Sequence, residues 1–464
     1  MNILKKIIKL APASIIPLIA GLIITYLNTN LLSNEQYGQL SIFNNTITFI
    51  STIFFSFIIQ SFLRYYYDFN NEKNNINFIR IYITFMTIML LISCIILLSL
   101  NKFLKFNIEI IFIIIANSFF MNIFNLQLND FRCNEKLGRY NIFKIMNAII
   151  KIILVVFLYR ISTTPMSYLI ATALSFIILS GKYFINNFKI VFNKDLFINT
   201  INFGLPLVGT SVGYLLLSSF DRYMISFIRG DIEVSYYAFA YQISELALIN
   251  INALLMVIFY PLILKTFDRE GAKSTEVLIS KLFNYNMLIV FAVTNLLIIF
   301  SKDLTHLFFK NYIGTENYIM LIAIGVFIYC TSFYTNKAFE VSKKTKSLLW
   351  ITITSGLINM ILNLICIPKY GAISAAFTTI ISYCIYIILS LIKGRKYLKI
   401  KIDKIFILKI MLIWIIIWIL FSVISMYIND YTFINLLIKV GIITIVYLLL
   451  LLILNISKHI KLSK

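Results

Sequence analysis

Long apolar stretches, separated by short polar breaks, recur along the chain from Leu10 almost to Asn455. A bilayer requires about 20 mainly apolar residues per helical span. The alternating strands of a membrane barrel would not give continuous apolar runs such as 108–120 and 406–419. The pattern therefore predicts an all-α polytopic membrane protein. Its fourteen predicted helices span roughly residues 10–32, 40–63, 81–100, 108–129, 141–159, 164–181, 203–228, 236–262, 282–300, 317–336, 347–367, 371–392, 405–428 and 432–454.

The composition agrees with a membrane protein and argues against several classes of soluble protein. Hydrophobic residues make up 60% of the chain and charged residues 13%, about half the charged fraction of a soluble protein. Five widely spaced cysteines and two histidines suit neither a disulfide framework nor a zinc site. No glycine-rich phosphate loop with an adjacent Gly-Lys pair is present, so ATP is not the expected energy source. We expect no cofactor, no bound metal and no enzymatic activity.

The net charge of +22 comes mainly from basic residues on one side of the predicted membrane topology. With the N-terminus placed in the cytoplasm, 31 of the 41 Lys and Arg residues fall at the cytoplasmic side, seven in external loops and three within spans. Basic residues of short loops stay cytoplasmic. The bias predicts a multi-pass protein with both termini cytoplasmic, and a basic surface that faces anionic lipid headgroups rather than nucleic acid.

A shift of six helices relates features of the two halves of the chain. Pro12 and Pro17 near the start of the first helix correspond to Gly204-Leu205-Pro206 near the start of the seventh. Since a proline inside a helix removes a hydrogen bond and bends the helix, Pro17 and Pro206 are candidate hinges. The expected domains are an N-lobe at 1–190 with helices 1–6, a C-lobe at 191–396 with helices 7–12, and appended helices 13–14 at 397–464.

Five ionisable residues fall inside predicted spans, where each requires a partner or water and is a functional candidate. Lys151 lies near the middle of helix 5 without an acidic neighbour on that helix, and it could bind a diphosphate or an acidic sugar, or else extend toward water. Asp221 and Arg222 on helix 7 and Glu245 on helix 8 lie at similar depths, about 10–14 Å from the outer surface. An Arg222–Glu245 ion pair could be structural, or it could open when an anion or a proton competes. Lys439 on helix 14 is expected to meet a lipid headgroup or a partner.

Further candidates lie at the predicted cytoplasmic ends of helices 2 and 10. Arg64 and Tyr65 begin a run of aromatic residues, and Lys337 follows helix 10. Arginine binds phosphate through two parallel donors, and a tyrosine ring can stack on a sugar. The alternative is an aromatic belt with a basic anchor at the membrane surface.

Several segments resemble bacterial polysaccharide flippases, the Wzx-like O-antigen and capsule repeat-unit transporters of the multidrug/oligosaccharidyl-lipid/polysaccharide (MOP) superfamily. The second loop has Tyr236-Tyr237 where that family often has Gly-Tyr. The matching segments are Asn202-Phe203-Gly204-Leu205-Pro206-Leu207, Phe220-Asp221-Arg222-Tyr223-Met224-Ile225, Tyr236-Tyr237-Ala238-Phe239-Ala240-Tyr241, Glu35-Gln36-Tyr37-Gly38, Arg64-Tyr65-Tyr66-Tyr67 and Ile367-Pro368-Lys369-Tyr370-Gly371-Ala372.

The resemblance implies two six-helix lobes around a central cavity and a flippase working by alternating access. Its expected cargo is a lipid-linked oligosaccharide on undecaprenyl diphosphate, moved to the outer leaflet of a bacterial inner membrane for O-antigen, capsule or a related surface polysaccharide. Expected partners are this lipid-linked oligosaccharide, membrane lipids and a polysaccharide polymerase, and Asp221 or Glu245 could couple a proton or Na+. The alternatives are a multidrug or cation antiporter of the same superfamily, and a membrane polysaccharide polymerase or ligase. The antiporter typically has twelve spans and an acidic cavity, and the enzymes need large external loops.

Overall fold

The computed structural model describes residues 12–66, 75–401, 403–428 and 430–454. Within these residues the structure contains no β-strand, and its long helices confirm the predicted all-α polytopic fold. The helices are α1 (Pro12–Leu31), α2 (Asn34–Tyr65), α3 (Asn75–Leu104), α4 (Ile108–Cys133), α5 (Leu137–Ile161), α6 (Pro165–Asn187), α7 (Lys194–Arg229), α8 (231–270), α9 (Ala272–Ile299), α10 (Glu316–Thr335), α11 (Thr345–Tyr370), α12 (Ala372–Gly394), α13 (Lys404–Tyr427) and α14 (Phe433–Ile453).

Twelve segments of the described chain are long and apolar enough to cross a membrane. One of them, Asp231–Ile299, is 69 residues long and contains both α8 and α9. Gly271 separates these two helices with a φ of +82°, a conformation that glycine adopts without steric cost. The apolar part of α1 that the structure describes, Ile15–Leu31, is slightly shorter than the other spans. The fourteen predicted helices are therefore all present.

The described residues fall into two compact units, divided after Tyr223. Unit 1 contains α1–α6 and most of α7, and unit 2 contains the rest of α7 together with α8–α14. The division lies inside α7, because the Lys194–Ser218 part of this helix packs against the second half of α2. The lobe boundaries at 190 and 396 stay a prediction.

The contact between α2 and α7 explains one glycine of the sequence. A Cβ atom on Gly204 would lie 2.7 Å from both the Cβ atom and the carbonyl oxygen of Phe57, so only glycine fits this position. In the same unit, the Asn117 side-chain amide donates to the Leu169 carbonyl at 2.8 Å and accepts from the Thr172 hydroxyl at 2.8 Å. This buried amide joins α4 to α6, the role expected of polar residues between membrane helices.

Both α2 and α8 contain one π-helical turn near the middle of the helix. The turn in α2 is Ser51–Phe55, and the turn in α8 is Glu245–Ile249. Single π-turns are rare and occur often at functional sites. Helices α2 and α8 are the second helices of the two predicted halves, and the six-helix shift itself stays a prediction.

In unit 2, α13 and α14 pack against α9 around a shared apolar cluster that includes Phe300, Trp414 and Ile443. A buried ion pair adds to this contact. Lys439 Nζ of α14 lies 2.7 Å from Asp303 Oδ1, and the two side chains are 3% and 4% exposed. The prediction that Lys439 meets a lipid headgroup or a partner is wrong, because Asp303, in the short helix Ser301–Phe308 after α9, neutralises it.

This ion pair gives a testable prediction for stability. Lys439→Met leaves the Asp303 carboxylate buried without its partner, and loss of one member of such a pair costs about 3–5 kcal/mol. We expect Lys439→Met to lower the thermal unfolding midpoint of the detergent-solubilised protein. The double variant Lys439→Met with Asp303→Leu, which buries no charge, should recover most of the loss. An unchanged midpoint in the single variant would contradict this assignment.

Candidate functional site

Helix α7 is interrupted at Ser219 and Phe220, just before the Asp221-Arg222 pair. Such an interruption leaves carbonyl groups without their helical donors. The Asn45 amide of α2 donates to the Ser219 carbonyl at 3.3 Å. Asp221 begins the second segment of α7 and accepts from the Arg222 backbone N–H at 2.8 Å. The break thus positions both charged residues.

Asn45 also binds the side chain of Arg222. The Arg222 guanidinium donates from Nη1 to Asn45 Oδ1 at 2.7 Å, and Arg222 is only 8% exposed. At the next position along each helix, Thr46 and Tyr223 share a hydroxyl hydrogen bond of 2.8 Å. Arg222 is therefore held inside unit 1 by a neutral amide. The Asn45 amide is one neutral hydrogen-bond acceptor of this guanidinium.

Glu245 is the first residue of the π-turn in α8 and is half-buried. A π-turn widens the helix locally and changes the direction in which the following side chains point. The sequence contains no feature that marks this turn. The Arg222–Glu245 pair stays a prediction.

Lys151 of α5 lies about 15 Å from the Ile161 end of its helix and about 21 Å from the Leu137 end. Its Nζ lies 5.9 Å from the ring centre of Tyr168 and 5.8 Å from that of Phe176, and both rings are buried residues of α6. Among the described residues, no carboxylate lies within ion-pair distance of Lys151. Lys151 is therefore a half-buried cation near the middle of its span, and the faces of two aromatic rings stabilise it within the described part of the chain.

Other polar groups accompany Lys151 on α5. Lys144 and Asn147 precede it by seven and four residues, which places all three on one side of the helix. The buried Oδ1 atom of Asn147 accepts no hydrogen bond from the described part of the chain. The buried Oε1 atom of Gln127 on the neighbouring α4 is in the same situation. These acceptors and the Lys151 ammonium are available to a hydroxyl-rich, anionic ligand.

The candidates at the predicted cytoplasmic ends differ in their surroundings. Arg64 is exposed at the end of α2, with its guanidinium 5.9 Å from the Tyr65 ring centre. The Tyr65 hydroxyl reaches the Asn199 carbonyl of α7 at 3.5 Å, while Tyr67 of the same run lies outside the described residues. Lys337 is buried, pairs with Glu340 at 2.6 Å and lies 4.4 Å from the Tyr260 ring centre. An anion at Lys337 would have to compete with Glu340.

The two candidate hinge prolines lie within helices. Pro17 is inside α1, and the backbone of α7 continues as a helix through Pro206 to Ser218. The clear interruption of α7 comes later, at Ser219 and Phe220. The hinge role of both prolines stays a prediction.

Two charged residues between the segments 220–225 and 236–241 hold the family-like segment Ile367–Ala372. Arg229 donates from Nε to the Ile367 carbonyl at 3.1 Å and from Nη2 to the Pro368 carbonyl at 2.9 Å. The Glu233 carboxylate accepts from the Ala372 backbone N–H at 2.6 Å, at the start of α12. Arginine thus binds the end of one helix and a carboxylate the start of the next, each favourable with the helix dipole. The segment Ile367–Ala372 therefore has structural contacts that the sequence alone did not show.

Sequence reasoning also missed Asp130. The prediction ended helix 4 at residue 129, whereas α4 continues to Cys133 and contains Asp130, which is 8% exposed. Its carboxylate accepts from the Tyr66 hydroxyl at 3.3 Å and from the Asn134 amide at 2.8 Å. The only available signal was an acidic residue just beyond an apolar run.

The described residues contain no group of three or more His, Cys, Asp or Glu placed to hold a metal ion. The five cysteines are all free thiols.

A family model described as polysaccharide biosynthesis protein matches residues 3–267. An uncharacterised membrane protein of Methanocaldococcus jannaschii is 22% identical over 286 residues, which are 58% of this chain and 54% of that protein. The chain thus spans about half the length of this relative.

Solved structures of transporters are similar over most of the chain. The lipid II flippase MurJ, in an inward closed conformation, has a TM-score of 0.71 and 18% identity, covering 96% of this chain and 97% of that one. An inward-facing multidrug resistance MATE family transporter of the MOP superfamily has a TM-score of 0.63 and 14% identity, covering 82% and 97%. A MOP superfamily transporter from Pyrococcus furiosus has a TM-score of 0.59 and 13% identity, covering 84% and 95%. These likenesses establish the fold of the chain.

The surroundings of Lys151 give a testable prediction about water access. In a variant with the five native cysteines replaced by alanine, Lys151→Cys should react with a water-soluble maleimide. Ile153→Cys should react much more slowly, because Ile153 lies two residues away, is 59% exposed and carries an apolar side chain suited to lipid. Mass spectrometry of the intact protein measures both extents. Equal labelling at the two positions, or none at 151, would contradict a hydrated face of α5.

Proposed function

The chain belongs to the polysaccharide biosynthesis protein family, and we propose that it is a flippase for lipid-linked oligosaccharide repeat units. In this proposal the unit is carried on undecaprenyl diphosphate and moves from the cytoplasmic to the outer leaflet of a bacterial inner membrane. The product would be used for O-antigen, capsule or a related surface polysaccharide. Both termini of this multi-pass protein are proposed to be cytoplasmic, as the distribution of basic residues predicts.

The observation that carries this proposal is the environment of Lys151. An ammonium group at membrane depth is costly unless water or an anion meets it. Among the described residues, the Lys151 ammonium lies near the rings of Tyr168 and Phe176 and forms no ion pair. A diphosphate would supply a negative charge there, and nearby amide oxygens could accept from sugar hydroxyls. The buried guanidinium of Arg222 is a second cation assigned to the cargo in this proposal.

Alternating access is the proposed mechanism. Two lobes would enclose a hydrated cavity that accepts the diphosphate and sugars, while the lipid tail remains in the bilayer. Pro17, Pro206 and the π-turns Ser51–Phe55 and Glu245–Ile249 are the positions where helices could bend. Asp221 and Glu245 could exchange a proton or Na+ during the cycle. Arg64, Tyr65 and Lys337 would receive the headgroup at the cytoplasmic side.

A multidrug or cation antiporter is the main rival, because MATE transporters share the fold. A cationic cargo needs unpaired acidic groups at mid-depth. Lys151 instead provides a cation that has no ion pair among the described residues and would repel such a cargo. Transport of an anionic headgroup is therefore the function that we prefer.

Transport in proteoliposomes tests the role of Lys151. Lys151→Gln should lower the initial rate of flipping of an undecaprenyl-diphosphate-linked oligosaccharide about tenfold, because one charge-assisted contact with phosphate is lost. Lys151→Arg should retain most of the rate, since it keeps the charge. Lys102→Gln, at an exposed position predicted to be external, is the matched control and should behave like wild type. A wild-type rate in Lys151→Gln would contradict the proposed binding site.

The charge of the cargo predicts a voltage dependence. Outward movement of a −2 diphosphate is favoured by about 4–5 kcal/mol per 100 mV when the inside is negative. Imposing such a potential with a potassium gradient and valinomycin should therefore accelerate outward flipping, and the reversed potential should slow it. Equal rates at both polarities would show that no net negative charge crosses the membrane.

A further inference from the structure

Unit 2 contains a basic cleft at the ends of α10 and α12, beside the connector that leads to α13. The cleft has a volume of about 640 Å³. It lies away from Lys151 along the chain, and the function proposed above does not use its residues. Its lining is formed by Thr335, Ala338, Ser390, Leu391, Gly394, Arg395, Leu398, Lys399, Ile400, Lys401 and Lys404.

The charged residues that line the cleft are all positively charged. Arg395, Lys399, Lys401 and Lys404 all line it and are exposed, and the lining contains no acidic residue. At its base, the buried Ser390 hydroxyl donates to Thr335 Oγ1 at 3.1 Å. Four cations around two hydroxyl groups make a site suited to a group with several negatively charged oxygens.

The connector between α12 and α13 is held through its backbone N–H groups, so the side chains of Lys399 and Lys401 are not used in these contacts. The Lys399 backbone N–H donates to Glu276 Oε1 of α9 at 2.7 Å, and the Lys401 backbone N–H donates to Ser280 Oγ at 3.1 Å. These bonds hold an extended segment against α9. The short helix Lys337–Val341, which follows α10, lies close to the end of α12, because a Cβ atom on Gly394 would be 3.3 Å from the Ala338 Cβ atom.

The remaining walls of the cleft are apolar. Leu391, Leu398 and Ile400 line it next to the cations. A soluble phosphate would leave these apolar side chains uncovered, whereas the glycerol and first acyl carbons of a lipid would cover them. Basic pockets between membrane helices on the cytoplasmic side are suited to anionic lipid headgroups.

We propose that this cleft binds the phosphate headgroup of an anionic phospholipid. The Arg395, Lys399, Lys401 and Lys404 side chains bind the phosphate, and the apolar residues contact the start of the acyl chains. The shared chemistry is a phosphate group, which a soluble phosphate also carries. The proposal does not depend on the transported substrate.

Lipid binding to the full-length protein in neutral detergent tests the proposal, with native mass spectrometry as the readout. The test variant is Lys399→Gln with Lys401→Gln. The matched control is Lys393→Gln with Lys396→Gln, which removes the same charge from exposed positions of the same stretch that do not line the cleft. Each basic residue contributes about fivefold to binding at an anionic surface, so the test variant should bind phosphatidylglycerol about thirtyfold more weakly. The control variant should stay close to wild type.

Two further ligands distinguish a phospholipid from a soluble phosphate. Phosphatidylcholine should bind weakly and equally to all three proteins, and glycerol phosphate should not displace phosphatidylglycerol. An equal loss of phosphatidylglycerol affinity in both double variants would show that binding depends only on the overall surface charge, and it would overturn the proposal. Displacement by glycerol phosphate at the lipid's own concentration would also overturn it, in favour of a soluble ligand. If the test variant unfolds in a thermal scan, Arg395→Gln with Lys404→Gln replaces it, with the same expected thirtyfold loss.

Discussion

A charge inside a membrane protein has to be paired, hydrogen-bonded or hydrated, and this constraint organises the polar interior of the chain. Lys439 is paired with Asp303 and stabilises the packing of the last two helices against α9. The Arg222 guanidinium donates a hydrogen bond to the Asn45 amide. Lys151 lies near two aromatic rings and has no ion pair with the described residues. Lys439 is thus neutralised within the protein, whereas the charge of Lys151 can still be neutralised by a ligand, and the candidate site is placed at Lys151 for this reason.

Some of the charged residues lie on irregular helices. The break in α7 leaves the Ser219 carbonyl to accept from the Asn45 amide, and the same amide accepts from Arg222. Glu245 lies in the π-turn of α8, and α2, which carries Asn45, also contains a π-turn. The break in α7 therefore contributes to the position of Arg222 inside unit 1.

The hydropathy pattern predicts all fourteen helices, because each span has to be continuously apolar. It underestimates helix ends such as the start of α7, which begins at Lys194 rather than near 203, because Asn193 caps a polar first turn. The pattern does not predict the partners of charged residues. Lys439 and Asp303 are 136 positions apart, and Arg222 and Asn45 are 177 apart. Pairing at such separations depends on the packing of helices, which hydropathy alone does not encode. The lack of an acidic residue beside Lys151 on its own helix can be read from the sequence, because it is a local property.

The central claim is that the ammonium group of Lys151 meets the diphosphate of the cargo. Photo-crosslinking tests it most directly, with an undecaprenyl-diphosphate-linked glycan that carries a photoreactive group beside the diphosphate. After digestion, we expect the modified peptides to contain the part of α5 around Lys151 and the facing part of α6 around Tyr168 and Phe176. Saturating unlabelled lipid-linked glycan should abolish this labelling. Specific crosslinks confined to other helices, with α5 and α6 unmodified, would contradict the account.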